Sequence, residues 1–145
     1  MVQAVASVVG YAAIVAGIVG LLTSHSVFST SPVVIVGQLL AIALMTWARV
    51  SFGLRSFHLT ATPTQGGLMT SGPYHFIRHP IYASVCLFTW VSALGHASLL
   101  STALACLVSA GIVIRVVTEE ELVAERYPEY RDYAKRTKRL IPFIF

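Results

Sequence analysis

No Lys, Arg, Asp or Glu precedes Arg49. A chain that runs so far without charge is built to leave water, and its apolar runs set the architecture. Four runs approach bilayer dimensions: residues 2–22, 32–50, 81–94 and 98–117. Crossing a hydrocarbon core of about 30 Å takes about 20 helical residues. Only helices or closed barrels satisfy every backbone group in lipid, and uninterrupted apolar runs of this length are helical. The fold class expected is therefore all-α, an integral membrane bundle of about four transmembrane helices. The 81–94 run is the shortest of the four. Charged residues make up 11% of the chain, against about 25% in soluble domains. The first run has no basic flank and exceeds the 7–15 residues of a signal-peptide core, so it reads as a retained span. Its Gly10, Gly17 and Gly20 suit a face for close helix contact in lipid.

The charges that do occur are concentrated. All six acidic residues lie between Glu119 and Asp132, and six of the ten basic residues lie from Arg126 onward. Basic residues that flank spans set orientation, which accounts for the net charge of +4 without a nucleic-acid partner. By the same rule the long link at 51–80 and the tail face the cytoplasm. Both termini then lie inside, in keeping with an even number of spans. Cys86 and Cys106 lie in apolar runs without CxxC spacing and read as small buried hydrophobes.

A link of this length needs a reason, because loops beyond about 12–15 residues are commonly functional. It carries "SGPYHFIRHPIY", where Pro80 is placed to open the third helix at its first turn. The tail has helical spacing, with Pro128 starting a second short helix. Tyr127, Tyr130 and Tyr133 are expected to pack this tail down. The link and the tail adjoin the same helical hairpin, so their polar groups can form one pocket at the membrane edge.

The individual residues leave alternatives open. His79 is either an interfacial histidine or part of a site; the doubtful helix across Pro80 argues against a His75–His79 metal pair. Arg115 near the end of the fourth run either snorkels to the interface or meets an anion. Glu119, followed by Glu120 and Glu121, fits the first turn of a tail helix, favoured by the helix dipole. It also fits a carboxylate that holds a cation or a sugar hydroxyl. No P-loop, GxGxxG or nucleophile–base set occurs, and the absence of alternating strands and helices excludes a Rossmann-type enzyme.

In combination, "LMTSGPYHFIRHPIY" and "RVVTEEELVAERYPEYRDYAKRTKRLIPFIF" resemble the isoprenylcysteine carboxyl methyltransferase family and the related phospholipid methyltransferases. The match runs over about 59–145. The resemblance implies a single domain, with an N-terminal helical hairpin (1–58) and a cofactor-binding catalytic core (59–145). It implies a membrane methyltransferase that uses S-adenosylmethionine and a lipophilic or lipid-linked acceptor, such as an isoprenylcysteine-type carboxylate. Carried over by position, Gly66, Gly67, Leu68, Met69, Tyr74, His79, Pro80, Ile81, Tyr82 and Glu119 bind the cofactor, and Arg115 is the catalytic residue that faces the acceptor. The family's "FG" before its E-Y motif reads "YP" here, at Tyr127 and Pro128, which alters the path of the tail. Aromatic faces can stabilise a sulfonium, and an in-line transfer mainly needs alignment. Two other readings stay open: a sterol-reductase-like oxidoreductase with a nicotinamide cofactor, and a non-enzymatic membrane scaffold.

Overall fold

The computed structural model describes residues 2–53 and 68–142. Among these, five α-helices form: α1 (Val2–Thr23), α2 (Pro32–Phe52), α3 (Pro80–His96), α4 (Leu99–Arg126) and α5 (Tyr130–Arg136). A 3-10 turn, Gly72–His75, precedes α3. The sequence explains the boundaries. Pro32 and Pro80 sit in the first turns of α2 and α3, where a missing N–H costs nothing. Ser98 and Ser101 form a reciprocal cap at the start of α4, satisfying donors that lipid would leave orphaned.

α1, α2 and α4 are each long and apolar enough to cross a membrane. α3 has 17 residues, about 25 Å at the helical rise. It nevertheless runs between the same two ends of the bundle as its neighbours. At one end His96 of α3 lies 3.1 Å from the Phe28 carbonyl of the α1–α2 link. At the other, Gln3 of α1 donates to Glu121 of α4, and the turn before α3 lies against Ser51 of α2. The helices therefore alternate in direction, an all-α membrane bundle as expected.

The packing order is α1 on α4, α4 on α3, and α3 on α2. α1 buries one stripe, Ser7, Gly10, Ile14, Gly17 and Leu21. The Gly10 and Gly111 backbones nearly touch: a Cβ on Gly111 would lie 2.6 Å from the Gly10 carbonyl oxygen. Gly17 and Gly20 pack against Val108 and Leu104, so the anticipated small-residue face exists and its partner is α4. α2 buries Val34, Ala41 and Ala48 while Leu39, Leu40 and Val50 stay exposed, an apolar outer surface suited to lipid rather than water. Gln38, in the apolar middle of α2, donates to the Val27 carbonyl and to Ser92 Oγ, as an amide in hydrocarbon requires.

Three expectations need correction. The fourth run does not end near 117: α4 continues to Arg126, because nothing breaks the helix before Pro128. Its 28 residues span about 42 Å, so its last turns rise beyond a core of about 30 Å. Glu119–Glu121 therefore do not sit in the first turn of a separate tail helix, and the helix dipole does not account for them. Cys106 is not buried but lies exposed on the bundle surface, while Cys86 is half-buried.

Candidate active site

The polar groups converge where α3 begins and α4 leaves the apolar zone. His79 precedes α3, Tyr82 lies in its first turn, and Arg115, Glu119 and Glu120 lie on α4. Residues 115 and 119 share a helical face because they are one turn apart. Their ion pair is 2.7 Å long.

Arg115 is only 4% exposed, so it does not snorkel to the interface. Its three nitrogens each have a partner: Nε donates to Tyr82 Oη at 2.9 Å, Nη1 to Ser7 Oγ at 2.6 Å, and Nη2 to Glu119 Oε1. The Tyr11 ring of α1 lies 5.8 Å from the guanidinium carbon. Tyr82 in turn donates to Glu119 Oε1 at 2.5 Å. A guanidinium at this depth is tolerable only with its charge matched and its donors used, and this arrangement does both.

A second cluster lies immediately beside the first. Glu120 Oε1 accepts from Arg78 Nε at 2.8 Å and lies 3.3 Å from His79 Nε2; Oε2 accepts from Arg139 Nε at 2.9 Å. His79 Nδ1 is 3.8 Å from Glu119 Oε2, so this histidine stands between the two carboxylates. Its ring is 5.9 Å from that of Tyr82.

Arg78 also fastens the tail. Its Nη1 donates to the carbonyls of Ala134 and Thr137. The backbone continues the seam: Arg78 N–H donates to the Lys138 carbonyl and His79 N–H to that of Arg139. Tyr133 Oη donates to the Tyr74 carbonyl, and Tyr130 and Tyr133 are buried, so two of the three tail tyrosines pack inward as expected. Burial pushes the Tyr133 phenol up to about 12 and moves Tyr74 the same way, so both are neutral hydrogen-bonding groups at ordinary pH.

The predicted residues distribute unevenly over this arrangement. His79, Tyr82, Glu119 and Arg115 come together. Pro80 is buried and Ile81 half-buried at the start of α3. Tyr74 is placed differently from Tyr82: its ring packs on Phe52 of α2 at 5.4 Å. Leu68 and Met69 are half-buried in the segment leading to the turn, and Met69 Sδ accepts from Ser71 Oγ. Gly66 and Gly67 lie outside the described residues. Sequence reasoning missed the tail-fastening roles of Arg78 and Glu120. The signal was present: an Arg next to His79 and a second Glu next to Glu119. It missed Ser7 as well, and nothing in the first run marks that serine.

Two curated relatives match over part of the chain. The nickel-cobalt-cadmium resistance protein NccN of Alcaligenes xylosoxydans xylosoxydans is 39% identical over 82 residues, covering 52% of this chain and 36% of the relative. The cobalt-zinc-cadmium resistance protein CzcN of Cupriavidus metallidurans is 40% identical over 78 residues, covering 52% of this chain and 35% of the relative. The match thus spans about a third of each relative's length. No solved structure matches the chain significantly. Residues 32–130, from the start of α2 to the start of α5, match the family model for phospholipid methyltransferase. That stretch contains α2, the turn before α3, and every residue of the two clusters except Ser7, Tyr11 and Arg139; the chain belongs to the phospholipid methyltransferase family.

Proposed function

We propose that the chain transfers a methyl group from S-adenosylmethionine to a lipophilic acceptor at the cytoplasmic edge of the membrane. The observation that carries this reading is the Tyr82–Glu119–Arg115 network beside His79, at the mouth of the α3–α4 hairpin and within the family match. The chemistry of this donor set fits a cationic nucleoside. The His79 and Tyr82 rings offer faces to a cation. Glu119 Oε1 is taken by Tyr82 and Arg115, while its Oε2 faces the His79 side and suits a ribose hydroxyl or an ammonium. When bound, S-adenosylmethionine supplies an activated methyl group on a sulfonium. The protein then has to align it with the acceptor and keep water out.

Arg115 acts here as a positioning residue that fixes Tyr82 and Glu119. An isoprenylcysteine-type carboxylate could meet it only in exchange for Glu119, so the acceptor is better defined by its apolar body than by a negative charge. The orientation rests on the basic residues: Arg49, Arg78 and the tail cations gather at one end, and the links at 24–31 and 97–98 carry none.

The test is calorimetric titration of S-adenosylmethionine and its demethylated product into the detergent-purified full chain. Wild type is compared with His79→Ala and Tyr82→Phe. Saturable binding that both variants weaken supports the reading. No binding by folded wild type overturns it, and reduced nicotinamides are titrated next. The two metal-resistance relatives favour a second, compatible reading, in which this methyl transfer serves metal tolerance. Deleting the gene and comparing growth with and without cobalt, nickel and cadmium salts tests it; equal growth in every salt sinks it.

A further inference from the structure

The family match begins at residue 32, so α1 (Val2–Thr23) lies wholly before it. Yet α1 supplies part of the Arg115 environment. Ser7 is fully buried, and its hydroxyl accepts from Arg115 Nη1. Tyr11, one turn on, covers the guanidinium. This contact depends on the backbone approach at Gly10 and Gly111; a Cβ on Gly10 would itself lie 3.1 Å from Arg115 Cγ. The small residue is thus what lets α1 come near enough for a serine to reach across.

We propose that α1 is a wall of the cofactor site and that Ser7 is a positioning residue for it. The inference rests on the methyltransferase reading above. Three hydrogen-bond partners of Arg115 come from three helices: Ser7 from α1, Tyr82 from α3 and Glu119 from α4 itself. A planar guanidinium held on all three nitrogens has one orientation. Without the Ser7 bond it can rotate about its remaining partners, and the Tyr82 hydroxyl and Glu119 carboxylate move with it. Ser7 never needs to touch the ligand to matter; it fixes the group that fixes the two that do.

The test uses the full chain in detergent, with calorimetric affinity for S-adenosylhomocysteine measured beside thermal stability. Ser7→Ala is expected to weaken binding by up to about tenfold, because the loosened guanidinium must be re-ordered when the ligand binds and one hydrogen bond to a charged group bounds that cost. Ser7→Cys keeps the volume, supplies a poor acceptor, and should behave alike if Ser7→Ala fails to fold. Gly17→Ala is the structural control. Its Cβ would meet Val108 at 2.4 Å, loosening the α1–α4 seam about 15 Å from Ser7 along the helix. It should lower stability and leave affinity unchanged. The double variant with Tyr82→Phe should lose less affinity than the two single losses combined, because both act through Arg115. Wild-type affinity in the Ser7 variants overturns the inference alone, as does an equal loss in Gly17→Ala. No binding by folded wild type overturns the cofactor reading and this inference with it.

Discussion

Replacing Glu120 by Ala should release the tail from the site. Glu120 accepts from Arg78 and Arg139 and touches His79, and these contributions are unequal. The Arg139 side chain is 38% exposed, and an ion pair that wet is worth about 0–1 kcal/mol. The Arg78 side chain is 9% exposed, so its bond to Glu120 sits near the strong end, about 1.5–3 kcal/mol for a hydrogen bond to a charged group. The bonds from Arg78 to the Ala134 and Thr137 carbonyls survive the substitution and limit the loss. The net cost to tail docking is about 3 kcal/mol, or about a hundredfold in the opening equilibrium. Native-state hydrogen exchange reads it directly. The Arg78 and His79 amides donate to the Lys138 and Arg139 carbonyls, so they exchange only when the tail opens. Their exchange should quicken about a hundredfold, while the Ala97 amide, bonded to Ala93 at the far end, keeps its rate. Unchanged protection at Arg78 and His79 would refute the argument that Glu120 holds the tail.

Three other perturbations have expected outcomes. Gly111→Val places a side chain against the Gly10 carbonyl, which even a Cβ would approach to 2.6 Å; overpacking of this kind costs about 1–3 kcal/mol, to be read as a lower unfolding midpoint in detergent. Tyr82→Phe removes the hydroxyl that joins Arg115 Nε to Glu119. Leaving that buried donor unpaired costs about 1–3 kcal/mol, and chemical denaturation should show it without loss of helix content. At alkaline pH the phenols of Tyr74, Tyr130 and Tyr133 all ionise later in the folded chain than in the unfolded one, because burial disfavours the phenolate. Stability is therefore full below the unfolded value of about 10 and falls as pH rises from there, through the Tyr133 value of about 12. Thermal midpoints measured from pH 8 upward should decline only beyond about 10, and less steeply in Tyr133→Phe.

The spans were legible because lipid admits few structures. An apolar run of bilayer length must be a helix, and Pro80 and Ser98 mark their starts by chemistry that needs no tertiary context. The third run, the shortest of the four expected spans, was legible as a helix, and contacts such as His96 with the Phe28 carbonyl carry it to the same end as its neighbours. The extent of α4 was misjudged for a physical reason. The change from apolar to charged residues at Glu119 marks the edge of the membrane, and helix propensity does not change there: "TEEELVAER" is rich in helix formers. Hydropathy reports the solvent, whereas Pro128 reports the backbone.

The site was legible only in its local half. Arg115 and Glu119 share a helix, so their spacing alone predicts the pair, and His79 and Tyr82 adjoin through Pro80. What joins the two groups is long-range, and sequence spacing is silent about it. Ser7 and Arg115 are 108 positions apart, and their meeting depends on the register of α1 against α4. The close approach of Gly10 and Gly111 sets that register, yet either glycine alone reads as one more small residue in an apolar helix. A buried Arg, however, must be matched somewhere, and a span that carries one requires its partners to exist before they can be named. In this bundle those partners come from three helices. The cost of burying one cation thus becomes a constraint that holds α1, α3 and α4 in a single geometry at the edge of the membrane.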